Sequence, residues 1–399
     1  MTETDIVIIG GGIAGASTAY HLAKQGHDVT LLERGDIASE ASGVNAGAIG
    51  ALGWGNLPNL ESFLTMGSLE IFKRLQLDLG YDIEFRQSGS LQAIQTEAQY
   101  AFIRDRMIQL RAQGYRVELL TTREARAIEP GLNPALFGCM YMPLRAQADP
   151  TKATRALASA AERRGARILV HHEVLSVRVR GDDSYQVETS RGPFGAGTLV
   201  IAAGAWCATV GAWLGLRIPI LPVRGQMWAT DALPPCIFHT LSSAESSLHW
   251  HTMPSNDAET PPCLTHRGGA RVTRHLYGRQ TRAGEIIFGG DRQLVGYQRE
   301  PAPAGIEVNR GQAAEVLPFL RELPVKRTWA GFMPFSLDGA PILGKIPHRR
   351  NLYIVSGLAS SGFGRGPMAG QLVAEYIHTG HRPSVLAEAD PARCVTVIE

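Results

Sequence analysis

The chain has no C-x-x-C pair, and its five cysteines, Cys139, Cys207, Cys236, Cys263 and Cys394, are scattered over 399 residues. An odd, dispersed set excludes a disulfide scaffold and fits a reducing compartment. An excess of one charge is also missing. The 39 Lys and Arg nearly balance 37 Asp and Glu, so no bulk attraction to nucleic acid or an anionic membrane exists. No basic region precedes the N-terminal apolar stretch, which follows Glu3 and Asp5, so it does not read as a secretory signal. Nor does it read as a membrane span, because Gly10, Gly11 and Gly12 interrupt it and His21 and Lys24 follow. The expectation is a cytoplasmic protein with a small-molecule partner, peripheral to the inner face of a membrane at most. No internal repeat is evident.

What is present suits an extensive core: 44% hydrophobic residues, 19% charged, and 44 glycines that demand tight turns or close backbone approach. The length predicts two compact units. Ile6 to Ile9 is a short apolar run of the kind found in a strand buried on both faces. Gly10, Gly12 and Gly15 then satisfy G-x-G-x-x-G, with Ile13 and Ala14 in the turn as further cofactor-binding candidates, and Ala16 to Gln25 has helical character. In this order the first glycine permits the turn, the second admits a pyrophosphate, and the third brings helix and strand together. A second strand, "DVTLLER", ends at Glu33, 18 residues beyond Gly15, where a carboxylate accepts from ribose hydroxyls. Arg34 hints at an NADP phosphate, but Glu33 would repel one, which leaves FAD or NAD.

The glycine-rich segment after residue 35 and the motifs beyond it resemble the FAD-dependent amino-acid and amine oxidoreductases of the D-amino-acid oxidase family. That family includes glycine oxidase, sarcosine oxidase and D-amino-acid dehydrogenase. The resemblance implies that Ala41, Ser42, Asn45, Ala46, Gly47 and Ala48 run beside the pyrophosphate and isoalloxazine. It also implies that Val174 touches adenine through its backbone and that Ala203, Gly204 and Trp206 of "AAGAW" pass the dinucleotide. Gly331 lies on a strand running past the flavin, and Ser361, Gly362, Phe363, Gly364 and Arg365 meet the flavin pyrimidine. The segments 41–50, 329–339 and 358–366 contain neither Cys nor His, so non-covalent FAD is expected.

The implied fold is α/β, α+β overall: a Rossmann-like FAD-binding domain (1–80, 147–220 and 325–399) interleaved with an antiparallel-sheet substrate domain (81–146 and 221–324). Tyr277 to Arg292 reads as a hairpin turning at Ala283 and Gly284. Residues 254–274 read as a surface loop or lid. His249 and His251 fit one face of a strand, with no third ligand at metal spacing.

The reaction implied is hydride removal from a carbon bearing nitrogen, giving an imine that hydrolyses. No Asp, Glu or His stands out as a base. "WAGFMP" resembles the family pattern W-x-G-L-R-P, whose arginine forks onto the substrate carboxylate, yet here Met333 occupies its place. Glycine and sarcosine are therefore expected to be poor substrates. Secondary amines, opine-like N-substituted amino acids and larger cationic amino acids remain. Arg279, Arg365, Tyr277 and Gly50 are the other candidates near substrate. Electrons pass to O2, or to a partner or quinone if the chain is one subunit of a dehydrogenase complex. A non-catalytic flavin-binding subunit is the remaining alternative, and homo- or hetero-oligomers are both open.

Overall fold

The computed structural model describes residues 2–50, 52, 60–253, 257–347 and 349–398. Its first sheet has the order Ile342–Lys345, Leu352–Ser356, Phe194–Ile201, Thr2–Ile9, Val29–Leu32, Arg167–Leu169, with parallel pairing among all but the first two. A meander of Val174–Val179 and Tyr185–Thr189 joins this sheet at Phe194–Ile201. Both faces are covered, as the N-terminal apolar run requires. Ile6 and Ile8 pack with helices on one side, while Val7 and Ile9 enter a separate core on the other.

Helices Ile13–Lys24, Pro150–Glu162 and Gly362–Thr379 line the first of these faces. The second is entered as the sequence suggests: Asp149 accepts from the Lys152 N–H at 2.7 Å and Pro150 occupies the first turn. The third ends at Gly380, whose φ of +71° is the left-handed conformation favoured at such ends.

The second sheet has the order Arg327–Ser336, Ile220–Ala232, Glu285–Gly289, Tyr277–Gln280, Thr240–Ser243, Ser90–Ile94, Gly138–Met142, Glu118–Leu120. It is antiparallel except between Thr240–Ser243 and Ser90–Ile94, which come from distant parts of the chain and pair parallel. The 277–289 hairpin turns as expected, with the Gly284 N–H donating to the Thr281 carbonyl. Two expectations need correction. Strand Arg327–Ser336, grouped above with the cofactor domain, is hydrogen-bonded along its length into the second sheet, from Ile220 opposite Ser336 to Ala229 opposite Arg327. His249 and His251 lie on a helix, Glu245–Thr252, where i and i+2 positions do not share a face.

The segment expected to be a lid is described from residue 257 and is pinned to its surroundings. His266–Arg267 pairs with Ala270–Arg271, and Arg271 forms a two-pronged ion pair with the buried Asp291. Residues 254–256 of that segment lie outside the described residues. No described helix is long and apolar enough to cross a membrane.

Candidate active site

A cavity of about 580 Å³ runs from the first glycine turn to the underside of the second sheet. At its first end Gly10 has φ +115°, and a Cβ there would lie 2.5 Å from the Ala202 carbonyl oxygen. Gly15 stands back from the cavity, where a Cβ would meet the Gly10 oxygen at 2.0 Å; its role is helix-to-strand contact. The helix beginning at Ile13 has no acidic residue in its first turn and no side-chain cap, although the Ile13 N–H donates to Ser42 Oγ at 2.9 Å. Its N-terminus presents partial positive charge to the cavity, as a pyrophosphate requires.

Glu33 is almost wholly buried, and two backbone donors aim it. The Gly11 N–H donates to Oε2 at 2.7 Å and the Gly35 N–H to Oε1 at 2.8 Å. Each oxygen keeps acceptor capacity for a ribose hydroxyl. Arg34 lines this half of the cavity, stacked on Trp206 at 3.9 Å and paired with Glu40, so its charge is already matched by a carboxylate. The cradle therefore fits an adenine dinucleotide without a 2′-phosphate.

Gly12, Ala14, Ala41, Val174, Ala203 and Gly204 also line this half. The middle is walled by Asn45, Ala48, Gly50, Gly331 and the helix N-terminus from Ser361 through Gly362, Phe363, Gly364 and Arg365. Gly331 is required by close approach, since a Cβ would lie 2.4 Å from Val44 Cγ2. Asn45 holds the loop, its amide donating to the Ala41 and Ser42 carbonyls while its oxygen accepts from the Gly47 N–H. Ala46 and Gly47 are not at the wall: Ala46 packs against Met227 and Ile287 under the second sheet.

Arg279 is likewise not a substrate group. It is 2% exposed and lies outside the cavity, donating to the Ala46 and Ala148 carbonyls and to Gln147. It ties the second sheet to the flavin-side loop. Arg365 does reach the cavity but is paired with Glu61.

Met333 and Tyr277 both line the far end, together with residues that the sequence did not single out. The chief of these is Arg292, just beyond the hairpin strand. Its guanidinium lies 4.1 Å from the centre of the Trp250 ring and donates to the Cys263 carbonyl at 3.1 Å and to His275 Nε2 at 3.3 Å. A guanidinium only donates, so Nε2 accepts, and Nδ1 carries the hydrogen that bonds Ser246 Oγ at 2.7 Å. Burial, then the Arg292 charge, hold the His275 pKa well below its ordinary value. The imidazole is neutral, and both its nitrogens are engaged in fixing Arg292. Burial similarly keeps the Tyr277 phenol protonated. Arg145, Gln92 and Ser242 complete the polar part of this chamber.

A family model described as FAD dependent oxidoreductase (DAO) matches residues 5–376. A glycine oxidase of Geobacillus kaustophilus (strain HTA426) is 29% identical over 378 residues, covering 94% of this chain and 92% of the relative. The crystal structure of glycine oxidase from Geobacillus kaustophilus superposes with a TM-score of 0.84 at 27% identity, covering 98% of this chain and 99% of that one. The L-proline dehydrogenase from P. horikoshii does so with a TM-score of 0.83 at 26% identity, covering 98% of each chain.

Proposed function

Because the chain belongs to the DAO family of FAD-dependent oxidoreductases, we propose that it oxidises a C–N bond of an amino acid or amine other than glycine or sarcosine. The observation that carries this reading is the continuity of one cavity from the dinucleotide cradle at Gly12 and Glu33 to a polar chamber at Tyr277, Arg292 and Met333. Bound FAD, held at the Gly12 and Glu33 cradle, would supply a two-electron acceptor for the hydride on the carbon bearing nitrogen. The nitrogen lone pair forms C=N as the C–H bond breaks, the N–H proton of a secondary amine leaves to water, and hydrolysis of the imine yields a carbonyl compound and an amine.

The chain's own residues bind and orient. Ile13 and Ala14 open the helix that faces the pyrophosphate, and Glu33 takes the ribose. The helix N-terminus from Ser361 presents N–H groups that favour negative charge in the flavin pyrimidine. Met333 and Trp250 give the substrate chamber an apolar wall. No acid or base is assigned; His275 acts as a positioning residue for Arg292. Neither Cys nor His is present in the flavin-side segments 41–50, 329–339 and 358–366, which supports non-covalent FAD.

Anaerobic mixing of the holoenzyme with a panel of amines and amino acids tests this reading. Bleaching of the flavin by at least one panel member is expected, with glycine and sarcosine slow. Fast reduction by either would remove the significance given to Met333. Hydrogen peroxide formed in air would identify an oxidase, and its absence a dehydrogenase that delivers electrons to a partner or quinone.

A further inference from the structure

The cavity contains two arginines with no acidic partner among the described residues. Arg292 is 9% exposed, and its two bonded partners, a carbonyl and a neutral imidazole, leave its positive charge unbalanced. Arg145, in the turn after strand Gly138–Met142, stands beside Gly50; a Cβ on Gly50 would lie 2.9 Å from its Cγ. Its Nε is buried without a hydrogen-bond partner, and it has no ion pair among the described residues. Burial alone lowers Arg145 to about 10, and burial is the leading cause of the same value at Arg292.

The acidic residues that do line the cavity are Glu33, Glu40 and Glu173, all in the half built around the second strand. Glu61 is paired with Arg365 at the start of the flavin-side helix. By sequence, residues 51, 53–59 and 254–256 contain no Asp or Glu. A dinucleotide pyrophosphate would be held at the helix beginning at Ile13 and would not account for either arginine. Arg292 is buried and Arg145 half-buried, and charge withdrawn from water without a counter-ion is costly. Two such cations in one chamber call for an anionic guest and disfavour a cationic one.

The two arginines flank one row of residues on the sheet above. Met140, Gln92, Ser242, Tyr277 and Gly289 form one row across five adjacent strands. Arg145 lies beyond the end of the first of these strands and Arg292 beyond the end of the last. Those two strands stand at the two ends of the row and run in opposite directions, so the chain leaves the sheet towards Arg145 at one edge and towards Arg292 at the other. Gln92, Ser242 and Tyr277, which line the cavity, lie between them.

We propose that the substrate is an amino acid carrying a second acidic group, most simply an N-(carboxyalkyl) amino acid, with one carboxylate on Arg292 and the other on Arg145. This rests on the C–N oxidation proposed above. Of the substrate classes left open by the sequence, it selects the opine-like one and removes cationic amino acids. Oxidation breaks the C–H bond beside the secondary nitrogen and passes two electrons to FAD, and O2 or a quinone then accepts them. Water adds to the imine, the C–N bond breaks, and a 2-oxo acid and an amino acid leave.

The test is anaerobic flavin reduction by holoenzyme with three matched series: N-(carboxyalkyl), N-alkyl and N-(aminoalkyl) amino acids of increasing chain length. The dicarboxylates should exceed the N-alkyl compounds by roughly 10–100-fold in reduction rate over apparent Kd, as expected for one added charge-assisted pair. The N-(aminoalkyl) series should be slowest. Arg145→Met should narrow the dicarboxylate advantage to within about threefold, Arg292→Met should weaken every acid, and Arg145→Lys should restore part of the preference.

A thioether dicarboxylate, with sulfur in place of the reacting nitrogen, provides a readout independent of turnover. It should perturb the flavin absorbance at lower concentration than its monocarboxylate counterpart, and Arg145→Gln should abolish that difference while FAD content and Tm remain those of a folded protein. Equal reduction by mono- and dicarboxylates, a preference that survives Arg145→Met, or fastest reduction by the cationic series would each overturn the proposal. If no amine reduces the flavin while the thioether dicarboxylate still binds selectively, the C–N oxidation reading fails and the anion site stands.

Discussion

Single residues decide this site through donors, acceptors and charge. Glu33 shows what a local pattern can specify: its distance from the glycine turn pointed to a ribose-binding carboxylate, and two backbone N–H groups fix its orientation in the cavity wall. Glu33→Ala should raise the FAD Kd by roughly 10–100-fold, through loss of charge-assisted bonds to ribose and disorder of the 35 turn. Fluorescence titration of apoprotein with FAD measures this, and Glu33→Gln should lie between. Met333 illustrates the opposite limit. Its sequence neighbours marked a missing cation, but they gave no sign that Arg292 stands at the same end of the cavity, braced by Trp250 and His275. These side chains lie within a stretch of about forty residues, yet a helix, a turn-rich segment and a strand must fold before they meet. The misassignment of His249 and His251 has a related cause. The short run "LHWHT" alternates like a strand, and residue type alone did not reveal that it continues a helix from Glu245.

At the scale of elements, the strand, glycine turn and helix at the N-terminus were the most legible part of the chain. Gly15→Ala would place a methyl 2.0 Å from the Gly10 oxygen, separating helix from strand at a cost of about 1–3 kcal/mol or more. It should lower both Tm and FAD content. Asp149→Ala removes only a helix cap, worth about 1 kcal/mol, so Tm should fall while FAD content stays. Comparing FAD content at matched Tm separates the two effects.

The same first helix carries a pH dependence. His21 donates through Nδ1 to the Ser17 carbonyl, and burial drives its pKa from 6.5 to about 4. Its folded-state pKa is depressed, so the unfolded chain binds the proton first. The stability is complete above pH 6.5 and is lost as pH falls towards 4. Urea midpoints at about pH 7.5 and about pH 5 should show a loss on the order of 1–3 kcal/mol that His21→Asn reduces.

The whole molecule adds a clasp between its two sheets. Tyr297 stacks on Trp206 at 5.2 Å, Trp206 carries Arg34 on its ring, and Arg299 pairs with Glu40 at 2.5 Å. Arg34, Glu40 and Trp206 line the dinucleotide half of the cavity, whereas Tyr297 and Arg299 come from the loop after the second-sheet hairpin. Replacing both Tyr297 and Arg299 by Ala removes the Trp206 stack and a partly exposed ion pair, worth about 1–2 kcal/mol by themselves, along with the Tyr297 hydroxyl bond to the Ala205 carbonyl and the contacts of both side chains with the Phe332 ring. FAD should then dissociate roughly 5–30-fold faster, as read by fluorescence on dilution, with the reduction rate of bound flavin little changed.

The sequence by itself determined the cofactor fold, because strand period, glycine spacing and helix caps act over a few neighbouring residues. It also set Met333 in a stretch, WAGFMP, that resembles the family pattern W-x-G-L-R-P, which is why a missing carboxylate clamp is proposed there. Tertiary structure decided which cations face the substrate. Arg279 and Arg292 lie on one hairpin and are alike in sequence, yet backbone carbonyls consume the first while the second reaches the cavity with charge to spare. That distinction depends on where distant carbonyls and carboxylates come to lie, and only the folded chain brings them within hydrogen-bond reach.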